Sequence, residues 1–161
     1  MLRKSLMAIA LFALTAGIAL AQQQWTAVPG VGAGPIKVGM NIKQVETILT
    51  RKPNADHAFR NKKYPFWIYY NEGLQVAYLI PSGKADQVIV DKPGIPTDKG
   101  VEVGGSLEQI VDAYGRNYID HELPTGSKDP KQYTYYYPSQ GIGFQLEGGR
   151  IKFIYIFDKV K

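Results

Sequence analysis

Two stretches set 65 positions apart carry one pattern, Ile36-Lys37-Val38-Gly39-Met40-Asn41-Ile42-Lys43-Gln44-Val45 and Val101-Glu102-Val103-Gly104-Gly105-Ser106-Leu107-Glu108-Gln109-Ile110. Each runs on to a short apolar turn and a basic residue, Ile48-Leu49-Thr50-Arg51 and Ala113-Tyr114-Gly115-Arg116. Asn41 and Ser106 are N-cap residues, whose side-chain oxygens accept an orphan N–H of the first helical turn. Gln44 and Gln109 stand three residues on, at capping-box spacing. Ile42, Val45, Ile48 and Leu49 then share one helical face, as do Leu107, Ile110, Val111 and Tyr114. Gly39 and Gly104 let the chain turn into each helix. Pro53 and Gly115 stop the two helices.

Strand signals follow each helix. Phe66 to Tyr70 is aromatic and β-branched, Asn71-Glu72-Gly73 makes a hairpin loop, and Leu74 to Ile80 continues. After Pro81-Ser82-Gly83-Lys84 the chain returns through Gln87 to Val90. In the second stretch Gln132 to Tyr137, Ile142 to Leu146 and Ile151 to Phe157 are separated by Pro138-Ser139-Gln140-Gly141 and Glu147-Gly148-Gly149-Arg150. Strands joined by short loops are antiparallel. Strands that follow a helix in a run, without alternating with it, indicate α+β. The expected fold is therefore α+β: two tandem repeats, each a short helical segment followed by an antiparallel three- to four-stranded sheet. Repeat 1 covers 36–90 and repeat 2 covers 101–161. Residues 91–100, with Pro93, Gly94, Pro96 and Gly100, are the linker, and the Gly-rich stretch 22–35 is a flexible leader.

Arg3 and Lys4, the apolar run Leu6 to Leu20, and Ala19-Leu20-Ala21 before Gln22-Gln23-Gln24 have the order of a secretory signal peptide, residues 1–21. The run is short against the roughly 20 residues of a bilayer span. Cleavage after Ala21 leaves an exported chain, periplasmic or extracellular, with no stable membrane span. The chain has no cysteine, which excludes thiol chemistry and a lipid-modified cysteine. After cleavage 17 basic residues face 14 acidic ones. The surplus gathers at Arg51, Lys52, Arg60, Lys62 and Lys63, a patch too small and too far from the cytoplasm for nucleic acid.

The repeated motif resembles that of the BamE/SmpA-like superfamily, whose tandem members include β-lactamase inhibitor proteins. The likeness spans residues 36–157 and implies a non-catalytic envelope or secreted protein. The lipoprotein branch of that group needs an acylated cysteine and the inhibitor branch carries disulfides. This chain has neither.

Chemistry-bearing residues are few. His57 and His121 are the two histidines. Asp120-His121-Glu122 puts neighbours on opposite faces of a strand, and no second cluster supplies the four ligands of a structural zinc. Of Ser82, Ser106, Ser127 and Ser139, Ser106 is claimed by capping, Ser82 and Ser139 lie in turns, and none lies in a nucleophile elbow. Paired carboxylates set by tertiary geometry leave a small hydrolase as one alternative. Gly30-Val31-Gly32-Ala33-Gly34 imitates a phosphate loop without its strand or its Lys-Ser/Thr ending. Gly104-Gly105-Ser106 is a helix start with N–H groups that could hold an anion. No cofactor and no metal are expected.

The aromatic strands hold the functional promise. Tyr64, Phe66, Trp67, Tyr69 and Tyr70 crowd one strand, and Tyr133, Tyr135, Tyr136 and Tyr137 another. Alternate residues face opposite sides. If Phe66 and Ile68 face the core, Trp67 and Tyr69 face out. In the second strand either Tyr133, Tyr135 and Tyr137 face out or Tyr136 does. Aromatic residues are enriched at binding hot spots, yet they also steady sheets by cross-strand pairing. The expected partner-binding set is Trp67, Tyr69, Tyr135 and Tyr137, rimmed by Arg60, Lys62 and Lys63. The expected role is binding of another protein or envelope component, with inhibition of a secreted hydrolase as the narrower alternative.

Overall fold

The computed structural model describes residues 24–49, 59–61, 64–70, 73–79, 82–122 and 132–161. Residues 1–23, where a signal peptide is expected, and Arg51, Lys52, Pro53, His57, Lys62, Lys63, Asn71, Glu72 and Ser127 lie outside the described residues.

Both capping boxes form. Asn41 Oδ1 accepts from the Gln44 N–H at 3.0 Å, while Gln44 Oε1 accepts from the Asn41 N–H at 2.9 Å. Ser106 and Gln109 repeat the exchange at 3.4 and 2.9 Å. These boxes open two helices of eight residues each, α1 (Ile42–Leu49) and α2 (Leu107–Tyr114). The α1 helix buries Val45 and Leu49, and α2 buries Ile110 and Tyr114. Gly115, at φ 85°, ends α2 and its N–H donates to the Val111 carbonyl at 2.8 Å.

About half of the remaining described residues lie in strands. β1 (Ala27–Val28), β2 (Gly32–Ala33) and β3 (Ile36–Lys37) form a small antiparallel sheet. A second sheet takes β4 (Phe59–Asn61), β5 (Tyr64–Tyr70), β6 (Leu74–Tyr78), β7 (Ala85–Val90), β8 (Ile119–Glu122), β9 (Tyr133–Tyr137), β10 (Ile142–Glu147) and β11 (Arg150–Phe157). Its order is β4-β5-β6-β7-β11-β10-β9-β8, antiparallel throughout, and β7 and β11 pair at the centre with Val90 opposite Ile154 and Val88 opposite Ile156.

This architecture corrects the α+β expectation. Among the described residues the chain is mostly β, with two antiparallel sheets and only two short helices, and it is not a pair of helix-plus-sheet repeats. The strands of both expected units merge through β7 and β11 into one sheet. The two like stretches also differ upstream of their helices. Ile36–Lys37 is a strand of the small sheet, whereas Val101 and Glu102 belong to none. Pairing the two central strands removes two sheet edges, which exposed would be liabilities.

The stretch 22–35 needs correcting too. From residue 24 onward it is built into the fold: Ala27 and Ala33 are fully buried, the Ala27 N–H donates to the Pro96 carbonyl at 2.8 Å, and the Gly30 N–H donates to the Gly141 carbonyl at 3.0 Å. The phosphate-loop imitation is thus a turn and strand. A Cβ at Gly32 would stand 2.0 Å from the Ile36 carbonyl oxygen, so only glycine fits that crossing. The linker 91–100 is anchored as well, with Ile95 and Thr97 buried.

Candidate functional site: the helix-free face of the sheet

Period-two alternation divides the large sheet into two faces. One face carries Leu74, Val76, Tyr78, Val88, Val90, Tyr137, Ile142, Phe144, Leu146, Ile151, Ile154 and Ile156, all packed in one core with the buried residues of α1, α2 and the small sheet. Tyr114 of α2 sits 5.2 Å from Phe144 and 5.7 Å from Tyr137, ring to ring. Ala77, Ile89 and Tyr155 are buried but stand apart from that core, because they point to the other face.

That second face, which carries no helix among the described residues, is the candidate site. Register places Tyr136 opposite Gly143, Gly143 opposite Tyr155, Tyr155 opposite Ile89, and Ile89 opposite Gln75. Phe157 pairs with Gln87, and Phe153 with Gln145. Four rings run across it: Tyr136 lies 6.2 Å from Phe157 and 6.5 Å from Tyr155, and Tyr155 lies 6.2 Å from Phe153. These spacings suit tilted aromatic contacts. Tyr136 needs the glycine opposite it: a Cβ at Gly143 would stand 2.7 Å from its Cδ1.

Polar groups between the rings are tied to one another. The Tyr155 hydroxyl donates to Gln145 Oε1, and Gln145 Nε2 donates to Gln132 Oε1 at 3.2 Å. Gln132 Nε2 reaches Glu147 Oε1 at 3.3 Å, and Lys152 pairs with Glu147. The Lys152 ammonium, with the Gln132 amide, holds the Glu147 carboxyl below its ordinary range. Across the sheet centre, Gln75 Nε2 donates to Asp91 Oδ2 at 2.9 Å. Gln75 is only 3 % exposed.

The expected partner-binding residues fare unequally. Tyr137 is 1 % exposed and belongs to the core: its hydroxyl donates to the Gly115 carbonyl at 2.8 Å, tying β9 to the end of α2. Burial, then Tyr118, pushes its phenol up to about 12. Tyr135 shares that helix-side face, half-buried, with its ring edge-on to Tyr118 at 5.0 Å. Burial first, then Tyr118, Asp120 and Tyr133, raises its phenol. Neither residue is on the helix-free face, because the four-residue turn after Tyr137 sets Tyr137 opposite Ile142 and Tyr135 opposite Phe144. The strand's outward aromatic is Tyr136. Trp67 and Tyr69 hold the register positions opposite Ala77 and Gln75, in the rows that continue to Gln87 and Ile89. Arg60 is within edge strand β4. Lys62 and Lys63 are outside the described residues, so no basic rim is placed.

Sequence reasoning missed Phe153, Tyr155 and Phe157 as the aromatics of that second face. Their signal was available: in Phe153-Ile154-Tyr155-Ile156-Phe157 the aromatic positions alternate with isoleucine, so one strand face is wholly aromatic.

The remaining candidates resolve into structure. Ser106 caps α2, and Ser82 and Ser139 lie in turns. The Gly104 N–H donates to the Ile151 carbonyl at 2.8 Å and the Gly105 N–H to the Glu102 carbonyl at 3.0 Å, so those groups are occupied. His121 sits in edge strand β8 opposite Thr134. Among the described residues no three His, Asp or Glu side chains come together as a metal site, and no helix is long and apolar enough to cross a membrane. No family model, no characterised protein and no solved structure matches the chain.

Proposed function

We propose that this chain is an exported, non-catalytic interaction protein that docks a partner protein of the cell envelope or its surroundings across the helix-free face of the large sheet. One observation carries the reading. Four adjoining aromatic rings, Tyr136, Phe153, Tyr155 and Phe157, lie on the sheet face opposite both helices. Aromatic side chains offer large contact area at low entropic cost and dominate binding hot spots. Tyr136 and Phe157 are half-buried, as preformed anchors are, with ring surface still open. Export rests on the signal-peptide order of residues 1–21. Kinship with BamE/SmpA-like proteins rests on the two capped helix starts and belongs to the same proposal.

Site-specific photocrosslinking tests it. A benzophenone amino acid at Phe157 is compared with one at Glu108, exposed on α2 on the opposite side of the molecule. The docking reading expects one discrete crosslinked product in the native envelope from position 157 and none from 108. Equal labelling at both positions, or none at 157, refutes it.

A further inference from the structure

One end of the large sheet gathers the segments that follow β6, β9 and β11. Backbone hydrogen bonds knit them to the small sheet and to each other. The Gly30 N–H donates to the Gly141 carbonyl at 3.0 Å, the Gly39 N–H to the Ala85 carbonyl at 2.7 Å, the Leu79 N–H to the Lys84 carbonyl at 2.9 Å, and the Val160 N–H to the Pro138 carbonyl at 3.0 Å. Six large apolar residues are exposed among the described residues, and four of them stand at this end: Val28 (37 %), Val31 (45 %), Leu79 (44 %) and Val160 (61 %). Val28 and Val31 flank the β1–β2 turn, where the Val31 N–H donates to the Val28 carbonyl at 3.0 Å. Leu79 and Val160 lie just beyond the last residues of β6 and β11. Apolar side chains exposed singly are ordinary, whereas a group of them marks a contact surface.

Exposed lysines surround the group. Lys37 precedes Val38, whose N–H donates to the Val31 carbonyl at 2.9 Å, and Lys43 is in the first turn of α1. Lys84 ends the turn after β6, and the Lys159 stem crosses Gly30. Among the described residues none of the four ammonium groups pairs with a carboxylate. Asp86 and Asp158 share this end, so four positive charges stand against two negative ones. Aliphatic tips ringed by lysines suit a surface that is apolar just beneath a layer of negative charge. An acidic protein face would match the lysines but would set polar groups against the aliphatic tips.

We propose that this end of the sheet seats on an anionic phospholipid bilayer, with Val28, Val31, Leu79 and Val160 entering the headgroup region and the lysines meeting lipid phosphates. The proposal goes beyond the docking reading and uses other residues. Seated this way, the sheet keeps its helix-free face open at the side.

The test is co-sedimentation of the purified exported chain with vesicles of phosphatidylcholine alone and of phosphatidylcholine mixed with phosphatidylglycerol. Binding is expected to the mixed vesicles, and it should fall as salt rises, because exposed charges are screened. Lys84→Gln combined with Lys159→Gln removes two positive charges and should weaken binding about tenfold or more. Val31→Ser combined with Leu79→Ser keeps every charge and should weaken it at least severalfold, by removing apolar area from the headgroup region. All four positions are exposed, so both double variants should melt at the wild-type temperature. If either pair melts lower, Lys37→Gln and Val160→Ser test the same surface. Any binding by a retained leader is common to all forms, so the differences between them report the sheet end. Equal binding to the two kinds of vesicle, or undiminished binding by both double variants, overturns the proposal. A loss confined to the lysine variant overturns it too, and assigns the lysines to an acidic macromolecule instead.

Discussion

Replacing Gly143 with alanine should unseat Tyr136, and the size of the effect follows from the geometry. The added Cβ would meet Tyr136 Cδ1 at 2.7 Å and Cε1 at 3.0 Å, against an optimum near 3.5–4.0 Å for carbon pairs. The ring must retreat by about 1 Å. Overpacking of this kind costs roughly 1–3 kcal/mol. Because Tyr136 is half-buried and has room to swing outward, the lower half of that range, about 1–2 kcal/mol, applies. With the ring gone, the next neighbour of the new methyl is the Tyr135 carbonyl oxygen at 3.5 Å, an ordinary contact. Alanine is also better than glycine in a strand interior by roughly 0.5–1 kcal/mol. Gly143→Ala should therefore be neutral or mildly stabilising in a Tyr136→Ala background. The backbone gain is common to both backgrounds and cancels, so the coupling between the sites is the overpacking cost, about 1–2 kcal/mol. Equilibrium urea unfolding of the wild type, both single variants and the double variant measures it. A Gly143→Ala cost that agrees within about 0.5 kcal/mol in the two backgrounds would show that Tyr136 is not seated over the glycine, and the aromatic row would lose its end.

Other expectations are simpler. Tyr137→Phe removes a 2.8 Å hydrogen bond to the Gly115 carbonyl and should cost about 1 kcal/mol in unfolding free energy, while the Phe157 photocrosslink stays unchanged; a lost crosslink with unaltered stability would return Tyr137 to the interface. Ser106→Ala deletes the cap of α2 and should cost about 1 kcal/mol in the same assay; no measurable change would mean the helix is held by packing alone. The Asp86 carboxyl is raised above its ordinary 3.8 by burial first and by Asp158 second. A raised acid binds more protons folded than unfolded, so ionised Asp86 lowers stability as pH climbs from the ordinary carboxylate value through the raised one. Asp86→Asn should consequently raise the melting temperature at neutral pH and lose that gain below about pH 3.8, where both states are protonated; a gain that grows on acidification would reverse the sign and refute the assignment.

What could be read from the sequence was what local chemistry decides. The pairs Asn41–Gln44 and Ser106–Gln109 fix two helix starts through contacts three residues apart, and both form. What could not be read was non-local or very short. β1, β2 and β3 have two residues each, too few for any periodicity, and they exist because Pro96, Asp98 and Gly141 supply backbone partners from distant parts of the chain. Edge strands β4 and β8 are similarly brief. The face of β9 was legible in principle. The turn Pro138-Ser139-Gln140-Gly141 pairs Tyr137 with Ile142, and Ile142, Phe144 and Leu146 alternate with Gly143, Gln145 and Glu147. That alternation assigns Tyr135 and Tyr137 inward and Tyr136 outward.

The correction of the fold class turns on the last strand of each half. A half that closed its own sheet would leave its last strand at an edge, with a row of unpaired N–H and C=O groups. Val88-Ile89-Val90 and Phe153-Ile154-Tyr155-Ile156-Phe157 carry no charged residue, and both strands are paired on each edge, β7 between β6 and β11 and β11 between β7 and β10. Such runs at an edge would invite aggregation, whereas paired with each other they form the centre of an eight-stranded sheet. Joining them aligns Ile89 with Tyr155 and draws Gln75, Asp91, Tyr155 and Gln145 onto one side. The four rings come from the second half, and the fusion sets Ile89, Gln75 and Asp91 of the first half beside them on the same side. A substitution that weakened the β7–β11 pairing should accordingly abolish partner binding before it unfolds either helix.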